Sequence, residues 1–203
     1  GCGKIGRTSV RTDQALFAHS GREMAMKILC FGDSNTYGYD PRSYFGGRYA
    51  ADSRWVDLLA RKTGWEVCNA GENGREIPKT APAFPPDLDL LLCMLGTNDL
   101  LQGRSPTETT ARMERFLKSV PLEREKIFLI APPPMARGAW VPDTKLIDDS
   151  KALAQGYRAL AGRLGIRFAD AGAWGVSLAY DGVHFTEQGH KAFAEGIFKA
   201  LSR

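Results

Sequence analysis

No apolar stretch of the sequence approaches the roughly 20 residues that span a bilayer, and the longest candidate, residues 88–95, is interrupted by Asp89. No membrane partner is expected. Cysteine is sparse: Cys30, Cys68 and Cys93 are widely spaced, each inside an apolar strand-like run, and Cys2 stands apart near the start. That pattern lacks the close cysteine pairs of a zinc site and suits reduced thiols packed as small hydrophobes. No metal and a cytoplasmic setting are therefore expected. The net charge is only +4, with lysine and arginine scattered rather than clustered, so small substrates are favoured over nucleic acid. Three glycine-rich or nucleophile signatures are also missing after the predicted strands: the G-x-S-x-G elbow, the Walker loop G-x-x-x-x-G-K-[ST] and the dinucleotide turn G-x-G-x-x-G. Phosphate cradling loses its main support without them.

What is present fits one folded unit. At 203 residues and 43% hydrophobic composition, the chain can bury one sizeable core but not two with a linker. Residues 1–25 mix Arg7, Arg11 and Arg22 with small polar residues and show no apolar periodicity. They read as a leader or appended segment, and residues 26–203 as the domain.

Ile28, Leu29, Cys30 and Phe31 form an unbroken apolar run, as a strand buried on both faces requires. Similar runs follow at 65–69, 88–95, 127–131 and 166–169. Between them lie helical patterns: Trp55, Leu58 and Leu59 after a cap at Asp52 or Ser53; Met113, Phe116, Leu117 and Val120 after Ser105-Pro106 with Glu108; and a helix from about Lys145 to Gly165. Thr186 caps a closing helix that turns Phe193, Ile197 and Leu201 inward. Five strands alternating with helices predict an α/β fold, a three-layer α/β/α sandwich around a parallel sheet with right-handed crossovers.

In such sheets ligands gather at the carboxyl ends of the strands. Ser34 stands just past the first strand, where a nucleophile would be placed, although a serine there is also an ordinary helix cap. Of the three histidines, His19 falls in the leader and His190 about a turn into the last helix, which leaves His184, three residues after Asp181, as the base. Gly74 and Asn98 follow other strands. Each has an ordinary turn reading, and together they offer a closely approachable N–H and an amide donor for an oxyanion hole.

Gly32-Asp33-Ser34, Asn69-Ala70-Gly71 with Gly74, Gly96-Thr97-Asn98-Asp99 and Asp181-Gly182-Val183-His184 resemble the four ordered blocks of the SGNH, or GDSL, hydrolase family. Within it, Asp52-Ser53-Arg54-Trp55, Pro132-Pro133-Pro134 and His184-Phe185-Thr186-Glu187 look most like bacterial multimeric arylesterases and acyltransferases. The resemblance implies a flavodoxin-like five-stranded fold and a serine esterase for short-chain acyl esters, with acyl transfer to alcohols or peroxide as a second outlet. It also implies a homo-oligomer and no cofactor. Ser34, His184 and Asp181 would form the triad, and the N–H groups of Ser34 and Gly74 with the Asn98 side chain the oxyanion hole. Asp33, Tyr37, Pro133, Trp140 and Val183 are the expected substrate-binding positions. A carbohydrate acetyl esterase of the acetylxylan type is the alternative, and a non-catalytic flavodoxin-like binding module the reading from outside the class.

Overall fold

A computed structural model describes residues 25–202, so the leader expectation lies outside the described residues. The strands are β1 (Lys27–Gly32), β2 (Glu66–Gly71), β3 (Leu90–Met94), β4 (Ile127–Ala131) and β5 (Arg167–Asp170). They pair in the order β2-β1-β3-β4-β5, all parallel. This is the flavodoxin-like winding. The helices are α1 (Ser34–Tyr37), α2 (Trp55–Thr63), α3 (Thr97–Leu101), α4 (Pro106–Ser119), α5 (Lys145–Leu164) and α6 (Glu187–Leu201). Among the described residues, no helix is long and apolar enough to cross a membrane.

Alternation along the strands builds two cores. Leu29, Phe31, Leu91, Cys93 and Leu129 face α4 and α5, meeting Met113, Phe116, Leu153 and Tyr157. Ile28, Cys30, Leu90, Leu92 and Phe128 face α2 and α6, meeting Trp55, Leu59, Phe193 and Ile197. Each fully buried side chain of this size is worth about 1.5–3 kcal/mol relative to exposure. The Cys30 and Cys93 thiols are free and buried, and burial lifts both, Cys93 to about 12. Neither is a ready thiolate.

Element types match the sequence reading, while several boundaries move. The helix expected to be capped by Asp52 or Ser53 starts at Trp55 with Arg54 as its N-cap and no side-chain cap. Ser53 lies in the preceding turn, its Oγ donating to Asp52 Oδ1 at 3.4 Å, and Arg54 pairs with Asp57 of the first turn at 2.7 Å. The expected capping box does form: Ser105 accepts from the Glu108 N–H while the Glu108 carboxylate accepts from the Ser105 N–H. Edge strands β2 and β5 run one or two residues later than their apolar runs, because Asn69 to Gly71 and Asp170 continue the ladder beside β1 and β4.

Candidate active site

In a 2-1-3-4-5 sheet the strand order reverses between β1 and β3, and the crevice there opens at the strands' carboxyl ends. β1 ends at Gly32 and leads through Asp33 into α1; β3 ends at Met94 and leads through Gly96 into α3. Ser34 and Asn98 are thereby delivered to one side of the crevice by adjacent strands. The loop before α6 brings Asp181 and His184 to the same place.

Ser34 Oγ lies 3.0 Å from His184 Nε2, and His184 Nδ1 lies 2.7 Å from Asp181 Oδ2. All three residues are buried. An ionised carboxylate only accepts, so the Nδ1 facing Asp181 carries the proton and Nε2 is left with a lone pair toward the serine hydroxyl. Burial alone would raise the Asp181 carboxyl, but the His184 ring and the N–H groups of His184 and Val183 hold it below its ordinary value. The arrangement fits a catalytic triad.

Two sets of hydrogen bonds hold the histidine loop. Asn35, next to the serine, donates from Nδ2 to the Val183 carbonyl at 3.1 Å and accepts from the Phe185 N–H at 2.9 Å. On the other side, the loop after the proline run is zipped to it: Ala136 N–H donates to the Gly182 carbonyl, Ala139 N–H to Tyr180 and Trp140 N–H to Asp181. Gly182 adopts φ +81°, and a side chain there would collide with the Ala136 carbonyl oxygen. His184 ends up between two aromatic rings, Tyr39 at 4.6 Å and Trp140 at 5.1 Å between centroids.

Gly74 sits exposed in a turn at φ +73° with open space around its Cα. Asn98 Nδ2 donates to the Arg75 carbonyl at 3.1 Å, which ties β3's end to the Gly74 turn and leaves its second amide proton for another acceptor. Asp99, beside it, is fully buried; Oδ2 accepts from the Ile77 N–H at 3.0 Å, and Oδ1 lies 2.9 Å from Arg112 Nε as an ion pair.

The expected substrate-binding positions differ in their surroundings. Asp33 is buried because its carboxylate turns inward to cap α1, accepting from the Asn35 N–H at 3.0 Å. Val183 is buried and belongs to the same core cluster as Met135 and Val141. Tyr37 lies under the Arg48 guanidinium, 4.4 Å from its ring centre, so the tyrosine against His184 is Tyr39. Pro133 is half-buried and Trp140 is 52% exposed. Sequence reasoning overlooked Asn35, Tyr39 and Arg75. Asn35 carried a signal in its adjacency to the serine, whereas Tyr39 and Arg75 are common residue types in loops whose direction only packing sets.

No curated protein matches the chain by sequence. Among solved structures, a carbohydrate acetylesterase from Sinorhizobium meliloti is similar at 25% identity and a TM-score of 0.73, covering 87% of this chain and 98% of its own. The native aryl esterase of M. smegmatis is similar at 29% identity and a TM-score of 0.72, covering 88% and 98%. The model of the GDSL-like lipase/acylhydrolase family matches residues 30–192, a span that takes in Ser34, Gly74, Asn98, Asp181 and His184. The chain thus belongs to the GDSL-like lipase/acylhydrolase family and is a carboxylic ester hydrolase.

Proposed function

We propose that the protein is a serine esterase of short-chain acyl esters, arylesterase-like in its alcohol preference, with Ser34 as nucleophile. The observation that carries this reading is the buried chain from Ser34 Oγ through the His184 ring to Asp181, at 3.0 and 2.7 Å. Ser34 Oγ attacks the ester carbonyl as His184 Nε2 takes its proton, and Asp181 stabilises the imidazolium so formed. The carbonyl oxygen becomes an oxyanion, stabilised by the Ser34 N–H, the Gly74 N–H and Asn98 Nδ2. Collapse breaks the bond to the alcohol, which leaves with the proton from His184. Water then attacks the acyl-serine, again deprotonated by His184, and the carboxylic acid departs. An alcohol or peroxide in place of water gives acyl transfer by the same steps.

A short acyl group is supported by the chain between α1 and α2, residues 38–54, which forms turns rather than an apolar lid helix. Tyr39 and Trp140 beside His184 support a flat alcohol portion. The half-exposed Trp140 also supports a second reading, an acetylated carbohydrate, since an indole face stacks well on a pyranose. The free thiols of the three described cysteines support a reducing, cytoplasmic compartment.

The test is labelling with a fluorophosphonate followed by peptide mapping, together with Ser34→Ala, His184→Ala and the double variant on p-nitrophenyl acetate. Label on Ser34, near-complete loss in each single variant and no further loss in the double variant are expected, because the residues act as a unit. A folded Ser34→Ala protein retaining a large share of turnover overturns the assignment.

A further inference from the structure

We infer that Arg75 is a positioning residue for the oxyanion hole, acting through a guanidinium that ties the Gly74 turn to the ends of two strands. The inference rests on the roles proposed above for Gly74 and Asn98. Arg75 directly follows Gly74, and its Nη1 donates both to the Gly32 carbonyl, at 2.9 Å, and to the Ala70 carbonyl. Gly32 is the last residue of β1, two before Ser34; Ala70 is the penultimate residue of β2. One side chain thus holds the carboxyl ends of both strands. The guanidinium also stacks on Phe31, 4.4 Å from the ring centre, and its Nη2 pairs with Glu72 at 2.5 Å. Its side chain is only 18% exposed, whereas that of Glu72 is 67% exposed.

The backbone of the same residue completes the clamp. The Arg75 carbonyl accepts from Asn98 Nδ2, so the residue that anchors the Gly74 turn also orients the Asn98 amide. Two residues on, the Ile77 N–H is held by Asp99 and the Ile77 carbonyl by Arg112 at 2.7 Å. The turn carrying Gly74 is therefore fixed from its far end by α3 and α4, and from its near end by the Arg75 guanidinium together with Asn69, whose Oδ1 accepts from the Gly71 N–H, and the Glu72 N–H on the Gly32 carbonyl. Gly74 itself, exposed and with open space around it, has no packing to place its N–H. A displaced donor is costly, because misplacement by about 1 Å loses on the order of 100-fold in rate.

The fork geometry matters as much as the charge. A planar guanidinium can meet two carbonyls and lie flat on a ring at once, while a lysine ammonium is a point donor on a flexible stem. Arg75→Met, Arg75→Lys and Arg75→Ala are compared with wild type on p-nitrophenyl acetate, with thermal unfolding recorded for each and with Ser34→Ala as reference. Arg75→Met is expected to lose roughly 10- to 100-fold in kcat with KM nearly unchanged, because the donors stabilise the transition state more than bound ester. Arg75→Lys recovers only part of that loss. Millimolar guanidinium restores part of kcat in Arg75→Ala and none in Asn98→Ala. Full kcat in a folded Arg75→Met or Arg75→Lys protein overturns the inference, as does a loss confined to KM. If Arg75→Met does not fold, the lysine variant and the guanidinium response decide. An inactive Ser34→Ala beside an unimpaired Arg75→Met removes this inference alone, whereas an active Ser34→Ala removes the triad reading with it.

Discussion

His190 lies one turn into α6 and is completely buried, its ring flanked by Tyr49 and Phe185. Nδ1 accepts from the Trp55 N–H, so the proton sits on Nε2, which has no partner. Burial, with Arg54 and His184 nearby, presses this ring down to about 3. The unfolded chain therefore binds a proton on His190 below its ordinary value of 6.5 that the folded chain refuses, and stability falls as pH drops through that window. Between pH 6.5 and 5 the loss from this ring is about 2 kcal/mol. Asp33 acts in the opposite sense: burial raises its carboxyl to about 6, so the folded form holds a proton the unfolded form has shed, and stability rises on acidification toward about 4. Urea unfolding of wild type and His190→Phe at the two pH values cancels the Asp33 contribution. The variant should lose about 2 kcal/mol less than wild type on acidification, and equal losses would show that His190 charges freely. At the same scale, Asn98→Ala should lower kcat by about 100-fold or more with little change in KM, since an oxyanion donor matters once the charge forms. Steady-state kinetics on a short ester reads this, and an unchanged kcat with a raised KM would make Asn98 a ground-state contact.

At the scale of elements, the site depends on two loops that carry no regular structure and are held by each other. The loop of residues 135–141 and the Tyr180–His184 turn share three backbone hydrogen bonds, and the close approach works because residue 182 has no side chain. Gly182→Ala should therefore destabilise the protein by about 1–3 kcal/mol, from positive φ and the clash with Ala136. It should also lower kcat by shifting His184 and Trp140 together. Thermal unfolding and kinetics check both, and a variant with wild-type stability and rate would mean the zipper yields at no cost. α4 illustrates a simpler case. Its capping box is complete in the chain itself, and Ser105→Ala should cost about 1 kcal/mol without touching the rate.

Over the whole molecule, the reversal of strand order between β1 and β3 brings the loops of five unremarkable strands to one crevice. Trp55 from α2 donates its indole N–H to the Asn35 carbonyl at 3.0 Å, and Tyr157 from α5 donates to the Leu95 carbonyl at 2.9 Å, so both helical layers brace the strand ends. With no lid helix over it among the described residues, the crevice should favour small acyl groups. Catalytic efficiencies on phenyl acetate, on p-nitrophenyl esters of rising chain length and on acetylated xylo-oligosaccharides measure this. The expected maximum is at acetyl or a near homologue. A maximum at decanoate refutes the small acyl pocket, and a strong preference for the acetylated sugar moves the alcohol specificity to carbohydrate.

The local rules of the chain were enough for the layers and for naming the candidate site residues. Unbroken apolar runs, helical apolar spacing, the Ser105 and Thr186 caps, and polar residues stopping each strand are all properties of neighbours in sequence. They announced Ser34, Asn98, Asp181 and His184 because polar chemistry is conspicuous beside apolar strands. Direction and partnership are different in kind, since they depend on contacts between residues far apart. Packing decided the order of the strands, turned Asp33 inward to its cap, set Tyr39 rather than Tyr37 against His184 and sealed His190 among aromatic rings. It also aimed the Arg75 guanidinium at two carbonyls that no spacing rule connects to it. A side chain in a loop has several rotamers of similar energy, and only the surrounding strands and helices choose among them.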